Sequence, residues 1–183
     1  MSVVFKPKIL VVGPCEAGKS YISNFIAEAT ESRGGEYHPT QGVRILEFEC
    51  YGESADETKK SFKAEVELWD CSGNRKYESC WPAFWHGSNG VILVYRKRSE
   101  EQAVEQWYDL FVARQHLKDS QCIIFTQGDV SPSSQKLNGV HNVSINIEKD
   151  PEEARVAFNS FLASLFANWQ STQIDEEDGI ISA

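Results

Sequence analysis

Gly13-Pro14-Cys15-Glu16-Ala17-Gly18-Lys19-Ser20 fits the pattern G-x-x-x-x-G-K-[ST] at every fixed position. Residues of these types, so spaced, can wrap a chain of phosphates. Gly13 and Gly18 let the backbone come close. The amides running through Cys15, Glu16 and Ala17, with the positive end of a following helix, face the phosphates. Lys19 would reach the β- and γ-phosphates, and the Ser20 hydroxyl would sit on Mg²⁺. Such a loop works only between a strand and a helix. Ile9-Leu10-Val11-Val12 reads as a short buried strand before it, and Ile22, Phe25, Ile26 and Ala29 recur at helical spacing after it.

Three further segments carry residues that a γ-phosphate sensor needs. Thr40 lies in a loop after the first helix, where its hydroxyl can reach Mg²⁺ and its amide the γ-phosphate. Asp70 ends a strand, a position from which a carboxylate holds Mg²⁺, and Gly73 can bring a bare amide to the γ-phosphate. Asp129 ends another strand far along the chain, where a carboxylate can accept two hydrogen bonds from a guanine edge. Each has a plainer reading: Asp-x-x-Gly is a common turn, Thr40 a loop threonine, Asp129 a solvated turn aspartate.

The remaining elements follow from periodicity. Residues 31–42 are glycine-rich loop. Val43, Ile45 and Glu47 alternate against Leu46, Phe48 and Cys50; Phe62, Ala64, Val66 and Leu68 alternate with Lys63, Glu65 and Glu67. The two runs, joined by polar residues 51–61, predict an antiparallel hairpin. Val91–Tyr95 and Cys122–Phe125 read as buried strands, residues 100–117 as an amphipathic helix, and Val140–Ile147 as a last strand. Asp150-Pro151-Glu152-Glu153 is a helix start, and Phe158, Phe161, Leu162, Leu165, Phe166 and Trp169 give that helix a wide apolar face. Alternating strands and helices predict an α/β fold: a mainly parallel sheet with one antiparallel edge hairpin and helices on both faces. Residues 1–170 are expected to form one domain, and 171–183, with Asp175-Glu176-Glu177-Asp178, an acidic disordered tail. Of Tyr77, Trp81, Phe84 and Trp85, Trp85 is expected in the core, and Tyr77 and Trp81 on a binding surface.

The 183 residues carry a net charge of −9, which argues against nucleic acid as a partner. No signal peptide, membrane-spanning run or lipid-anchor motif is expected from the sequence. Five scattered cysteines without a C-x-x-C pair suggest a reducing compartment and mostly buried, inert thiols. Cys15 is expected to be inert as well, covered by whatever the loop binds.

Together these residues resemble a Ras-superfamily small G protein over nearly the whole chain. Glu36-Tyr37-His38-Pro39-Thr40 is similar to the Ras switch I stretch, and Thr40-Gln41-Gly42-Val43 to its Rab and Arf form. Trp69-Asp70-Cys71-Ser72-Gly73 is similar to the Rab W-D-T-A-G segment, and Trp85-His86-Gly87 to the Rab Y-Y-R-G segment. More narrowly, Gly13-Pro14-Cys15-Glu16, the run from Pro39 to Glu49, and Glu78-Ser79-Cys80-Trp81-Pro82-Ala83 resemble the Rab-like subunits of the intraflagellar transport B complex.

The resemblance implies a P-loop small G domain that takes GTP or GDP with Mg²⁺. Gly13, Cys15, Glu16, Ala17, Gly18, Lys19, Ser20, Tyr37, Thr40, Gly73, Thr126, Gln127 and Asp129 would contact the nucleotide, and Ser20, Thr40 and Asp70 the metal. It implies a component of the cytoplasm, the ciliary base and the cilium or flagellum, partnered by coiled-coil subunits of the B complex. The departures bear on chemistry. Asn74 stands where a catalytic small G protein carries Gln, and Cys15 where Ras usually has Gly. The base motif N-K-x-D is reduced to Thr126-Gln127-Gly128-Asp129, and the S-A-K motif to Ser144-Ile145-Asn146. Only about a dozen residues part Asp129 from the last strand, so the helix expected there is shortened or missing. The expected function is a GTP-binding module with weak or no hydrolysis. Its rivals are a cycling GTPase switch and a P-loop kinase acting on a small molecule.

Overall fold

A computed structural model describes residues 3–28, 39–57, 59–97, 100–128 and 134–181, with side chains described from residue 4 to 173. The strands are β1 (Val3–Phe5), β2 (Lys8–Val12), β3 (Val43–Glu53), β4 (Ser61–Cys71), β5 (Gly90–Tyr95), β6 (Cys122–Gln127) and β7 (His141–Ile145). The α-helices are α1 (Lys19–Ile26), α2 (Trp81–Trp85), α3 (Glu101–Phe111) and α4 (Pro151–Ile181).

One seven-stranded sheet forms the middle layer. β3 pairs antiparallel with one side of β4. The other side of β4 is shared by β1 and β2, both parallel to it, one after the other. β5, β6 and β7 then follow in parallel. The hairpin is therefore the antiparallel edge of an otherwise parallel sheet.

The unbroken apolar runs mark strands covered on both faces. Ile9 and Val11 of β2, Ile92 and Val94 of β5, and Ile123 and Phe125 of β6 point to one side. There they meet α1 and the face of α4 that carries Phe158, Phe161, Leu162, Leu165 and Phe166. Leu10 and Val12, Val91, Leu93 and Tyr95, and Cys122 and Ile124 point to the other side, against α2 and α3. α4 starts as its sequence dictates: Asp150 Oδ1 accepts a hydrogen bond from the Glu153 amide at 3.2 Å.

Several expectations need correction. Trp81 is not a surface residue: it is 1% exposed. Its ring lies 4.8 Å from that of Trp107 and 5.4 Å from that of Phe111. The short α2 turns residues 81 and 84 to one side, and α3 offers Trp107 and Phe111 at helical spacing to receive them. Trp85, expected in the core, is only partly buried and packs at the margin of that cluster. The hairpin is longer than its apolar alternation, with pairing from Val43↔Cys71 to Glu53↔Ser61, because the backbone ladder continues through polar side chains. Between β6 and β7 the described residues contain only the 3-10 turn Gln135–Leu137, in line with a shortened connection. α4 runs as helix to Ile181, through the stretch expected to be disordered. Among the described side chains, Trp169 is the last of α4 that packs against the core. Ala29, expected on the first helix, lies outside the described residues.

Candidate functional site

The phosphate loop sits at the C-terminal end of β2, between the C-terminal ends of β4 and β5, the usual place for a ligand in an open α/β sheet. Its path is set by sterics. Gly13 has φ +146°, and a Cβ there would lie 2.1 Å from the Val94 carbonyl oxygen. Gly73 approaches from the other side, where a Cβ would meet the Cys15 amide nitrogen at 2.6 Å and the Gly13 carbonyl oxygen at 2.7 Å. Each contact is with backbone, which cannot swing aside, so both positions demand glycine. Glu16 takes the left-handed conformation (φ +60°) at the tip of the loop. Ala17 is fully buried, Lys19 nearly so, and Cys15 exposed.

Lys19 Nζ donates to the Pro14 carbonyl at 2.6 Å, folded back across its own loop. Burial pulls the Lys19 ammonium below its usual range, and the nearby Asp70 charge opposes that most strongly.

The three residues expected to hold a metal converge. Ser20 Oγ and Thr40 Oγ1 share a hydrogen bond of 2.9 Å, and Thr40 Oγ1 donates to Asp70 Oδ2 at 3.4 Å. Asp70 is fully buried at the end of β4, and its Oδ1 has no hydrogen-bond partner. Burial pushes the Asp70 carboxyl above its usual range, and Ser20, Arg44 and Lys19 pull it partway back. Two hydroxyls and a carboxylate with an orphaned oxygen are the donor set of a hard cation, so the residues present fit Mg²⁺.

The loop with Thr40 and the loop with Gly73 are tied together. The Ser72 amide donates to the Gly42 carbonyl at 2.8 Å, and Tyr77 Oη donates to Gln41 Oε1 at 2.9 Å. Asn74 is committed elsewhere. Its Oδ1 accepts from the Lys76 amide at 3.0 Å, capping the 3-10 helix Arg75–Cys80.

On the base side, Gln127 Nε2 donates to the Ala17 carbonyl at 3.2 Å, so Gln127 lies across the phosphate loop. Thr126 is fully buried, its hydroxyl turned toward the Val143 carbonyl of β7 at 3.5 Å. That hydroxyl is engaged within the sheet. Ser144 Oγ donates to the Gly128 carbonyl at 2.9 Å, bracing the same corner. A cleft of about 310 Å³ opens there, walled by Tyr21, Arg96, Gln127, Gly128, Asn146 and Glu148 among others. Tyr37 and Asp129 lie outside the described residues.

Sequence reasoning missed Arg44 and Asn24. Arg44 Nη2 donates to Asp70 Oδ2 at 3.1 Å and to Asn24 Oδ1 at 2.6 Å. A signal was present: Arg44 is in phase with Leu46, Phe48 and Cys50, the inward face of β3, where a charge needs a buried partner. Tyr21 and Arg96 were missed too, and no spacing rule would have found them. The expected inert thiols are three of five: burial raises Cys71 and Cys122 and lifts Cys50 to about 11, whereas Cys15 and Cys80 are exposed.

The family described as "Ras of Complex, Roc, domain of DAPkinase" matches residues 8–129. Intraflagellar transport protein 22 homolog of Xenopus tropicalis is 40% identical over 192 aligned positions, spanning 98% of this chain and 100% of the relative. The Rattus norvegicus homolog is 42% identical over 191 positions, spanning 97% and 99%. The GTP-bound crystal structure of T. brucei IFT22/74/81 matches the fold with a TM-score of 0.67 and 28% identity, covering 91% of this chain and 98% of that one. Its hairpin-edged sheet, its phosphate loop and this likeness over nearly its full length place the chain, a Ras-like GTPase domain, in the intraflagellar transport protein 22 family.

Proposed function

We propose that the chain is a GTP-binding, Rab-like subunit of the intraflagellar transport B complex, acting as a binding module. The observation that carries the nucleotide reading is the convergence of Ser20, Thr40 and Asp70 beside the phosphate loop, with a buried Asp70 oxygen left without a partner. The amides of Gly13, Cys15, Glu16, Ala17, Gly18, Lys19 and Ser20 and the Lys19 ammonium hold the phosphates. Thr40 and Gly73 meet the γ-phosphate, and Gln127 and Asp129 meet the base with Tyr37 beside it. Thr126 shapes the base corner from within the sheet. Ser20, Thr40 and Asp70 hold Mg²⁺, which neutralises phosphate charge when bound. Residues 1–170 form this G domain, and 171–183 lie outside it.

Assembly with coiled-coil subunits is supported by the T. brucei IFT22/74/81 complex, whose first member matches this chain in fold. Work at the cilium or flagellum and its base, and in the cytoplasm, follows from that assembly. The chain reaches its place through protein contacts.

Titrating fluorescent GTP and ATP analogues against the purified chain tests the reading, with GTP expected to bind at least about tenfold tighter, a difference of roughly 1.4 kcal/mol. Equal affinities would sink the base assignment.

Hydrolysis is expected to be weak. A water must be held in line with the γ-phosphate, and the side chain in place to hold it is Asn74. Asn74 is one methylene shorter than Gln, and its oxygen already caps a helix. The single-turnover rate is expected to fall below that of Ras, on the order of 10⁻⁴ s⁻¹. A rate at or above that value favours the cycling switch instead.

A further inference from the structure

The cation already present beside the metal residues belongs to the protein. Arg44 and Asp70 are direct partners across the β3–β4 hairpin. Their side chains approach to 3.1 Å, with Asp70 fully buried and Arg44 only 28% exposed. The same nitrogen of Arg44 reaches Asn24 on α1 at 2.6 Å. One guanidinium thus ties together the strand that leaves the Thr40 loop, the helix that follows the phosphate loop, and the aspartate assigned to Mg²⁺.

We propose that Arg44 is a built-in counter-cation for Asp70, which lowers the affinity of the site for Mg²⁺ and keeps the Thr40 loop arranged whether or not the ion is bound. This rests on the nucleotide and Mg²⁺ reading above. The physical reasoning has two parts. A buried carboxylate without a counter-charge is strongly disfavoured, and a site that depended on Mg²⁺ alone would loosen whenever the ion left. Arg44 removes that dependence: Asp70 stays paired, and Asp70 Oδ2 goes on accepting from Thr40. The cost is mutual repulsion, since a guanidinium and a divalent ion must then share one carboxylate. Asp70 Oδ2 faces Arg44, and Oδ1 is the oxygen left for the ion. Arg44 is a positioning residue in this account, acting through Asp70 and touching neither phosphate nor base.

The test uses the full chain loaded with fluorescent GDP, as wild type, Arg44→Gln and Arg44→Lys. Two readouts are taken: the Mg²⁺ concentration that half-maximally slows nucleotide release, and the thermal midpoint in EDTA and in excess Mg²⁺. Arg44→Gln is expected to lower the Mg²⁺ requirement at least about tenfold, the scale of one charge a few ångströms away in a partly buried site. The fall in its thermal midpoint from excess Mg²⁺ to EDTA should be larger than that of wild type and of Arg44→Lys, which lose only the stabilisation that bound nucleotide and ion supply. An unchanged Mg²⁺ requirement in Arg44→Gln overturns the proposal. So does a midpoint lowered equally in EDTA and Mg²⁺, which is what a purely structural arginine would give. A wild-type chain that holds no guanine nucleotide in either condition overturns the nucleotide reading itself, and this inference with it.

Discussion

Trp81→Ala is expected to destabilise the folded chain by about 3–5 kcal/mol, a large part of the roughly 5–15 kcal/mol that holds a domain together. The indole is 1% exposed and is enclosed by Trp107, Phe111 and the second face of the sheet. α2 is only five residues long and cannot hold its own shape, so its packing against α3 is what fixes it. The cavity left by the ring would lie between two short helices. Urea unfolding followed by circular dichroism measures the loss, and a change under about 1 kcal/mol would show that the pocket collapses without cost. Because Trp81 is buried, weakened partner binding by this variant would report folding and not a lost contact. Tyr77, which keeps part of its ring accessible and its hydroxyl on Gln41, is the residue of this segment to vary when the surface is probed.

Lys19→Ala is expected to weaken binding of a guanine nucleotide roughly ten- to a hundredfold, the worth of a charge-assisted contact of about 1.5–3 kcal/mol. Lys19 rests on the Pro14 carbonyl, in reach of any phosphate cradled by the loop. It also lies close enough to Asp70 for the two charges to interact, so its removal strips the metal corner of one cation. Titration of a fluorescent GTP analogue gives the affinity, and the Arg44–Asp70 pair should preserve the fold of the variant. An affinity equal to wild type would remove the phosphate-loop assignment.

Much of this was legible in the residues, and the reasons are physical. The phosphate loop is local: its glycines, lysine and serine lie within eight residues and are bracketed by a strand and a helix whose periods are plain. The parallel core was legible because strands buried on both faces must be apolar throughout. Ser20, Thr40 and Asp70 could be picked out one by one as candidates, since each lies at or beside the end of an element. What sequence could not supply was whatever depends on register and on crossing elements. Arg44 finds Asp70 only through the pairing of β3 with β4, and Asn24 only because α1 packs beneath that pair. Trp81 was misplaced for a similar reason: which aromatic of a short turn goes inward is decided by the helix it meets. The fate of Asn74 rested on a backbone amide two residues away, which composition does not reveal.

The backbone bond from Ser72 to Gly42 and the Tyr77–Gln41 bond join two loops that approach the phosphates from different strands. Their thermodynamic consequence is cooperativity. Two loops that must break shared bonds to move apart have two well-populated joint states, not four independent ones, so ordering either one biases both. Linkage then runs in each direction by the same factor: a protein that grips the joined pair must tighten the nucleotide as much as the nucleotide tightens that protein. Release from such a partner and release of the nucleotide thereby become two faces of one equilibrium.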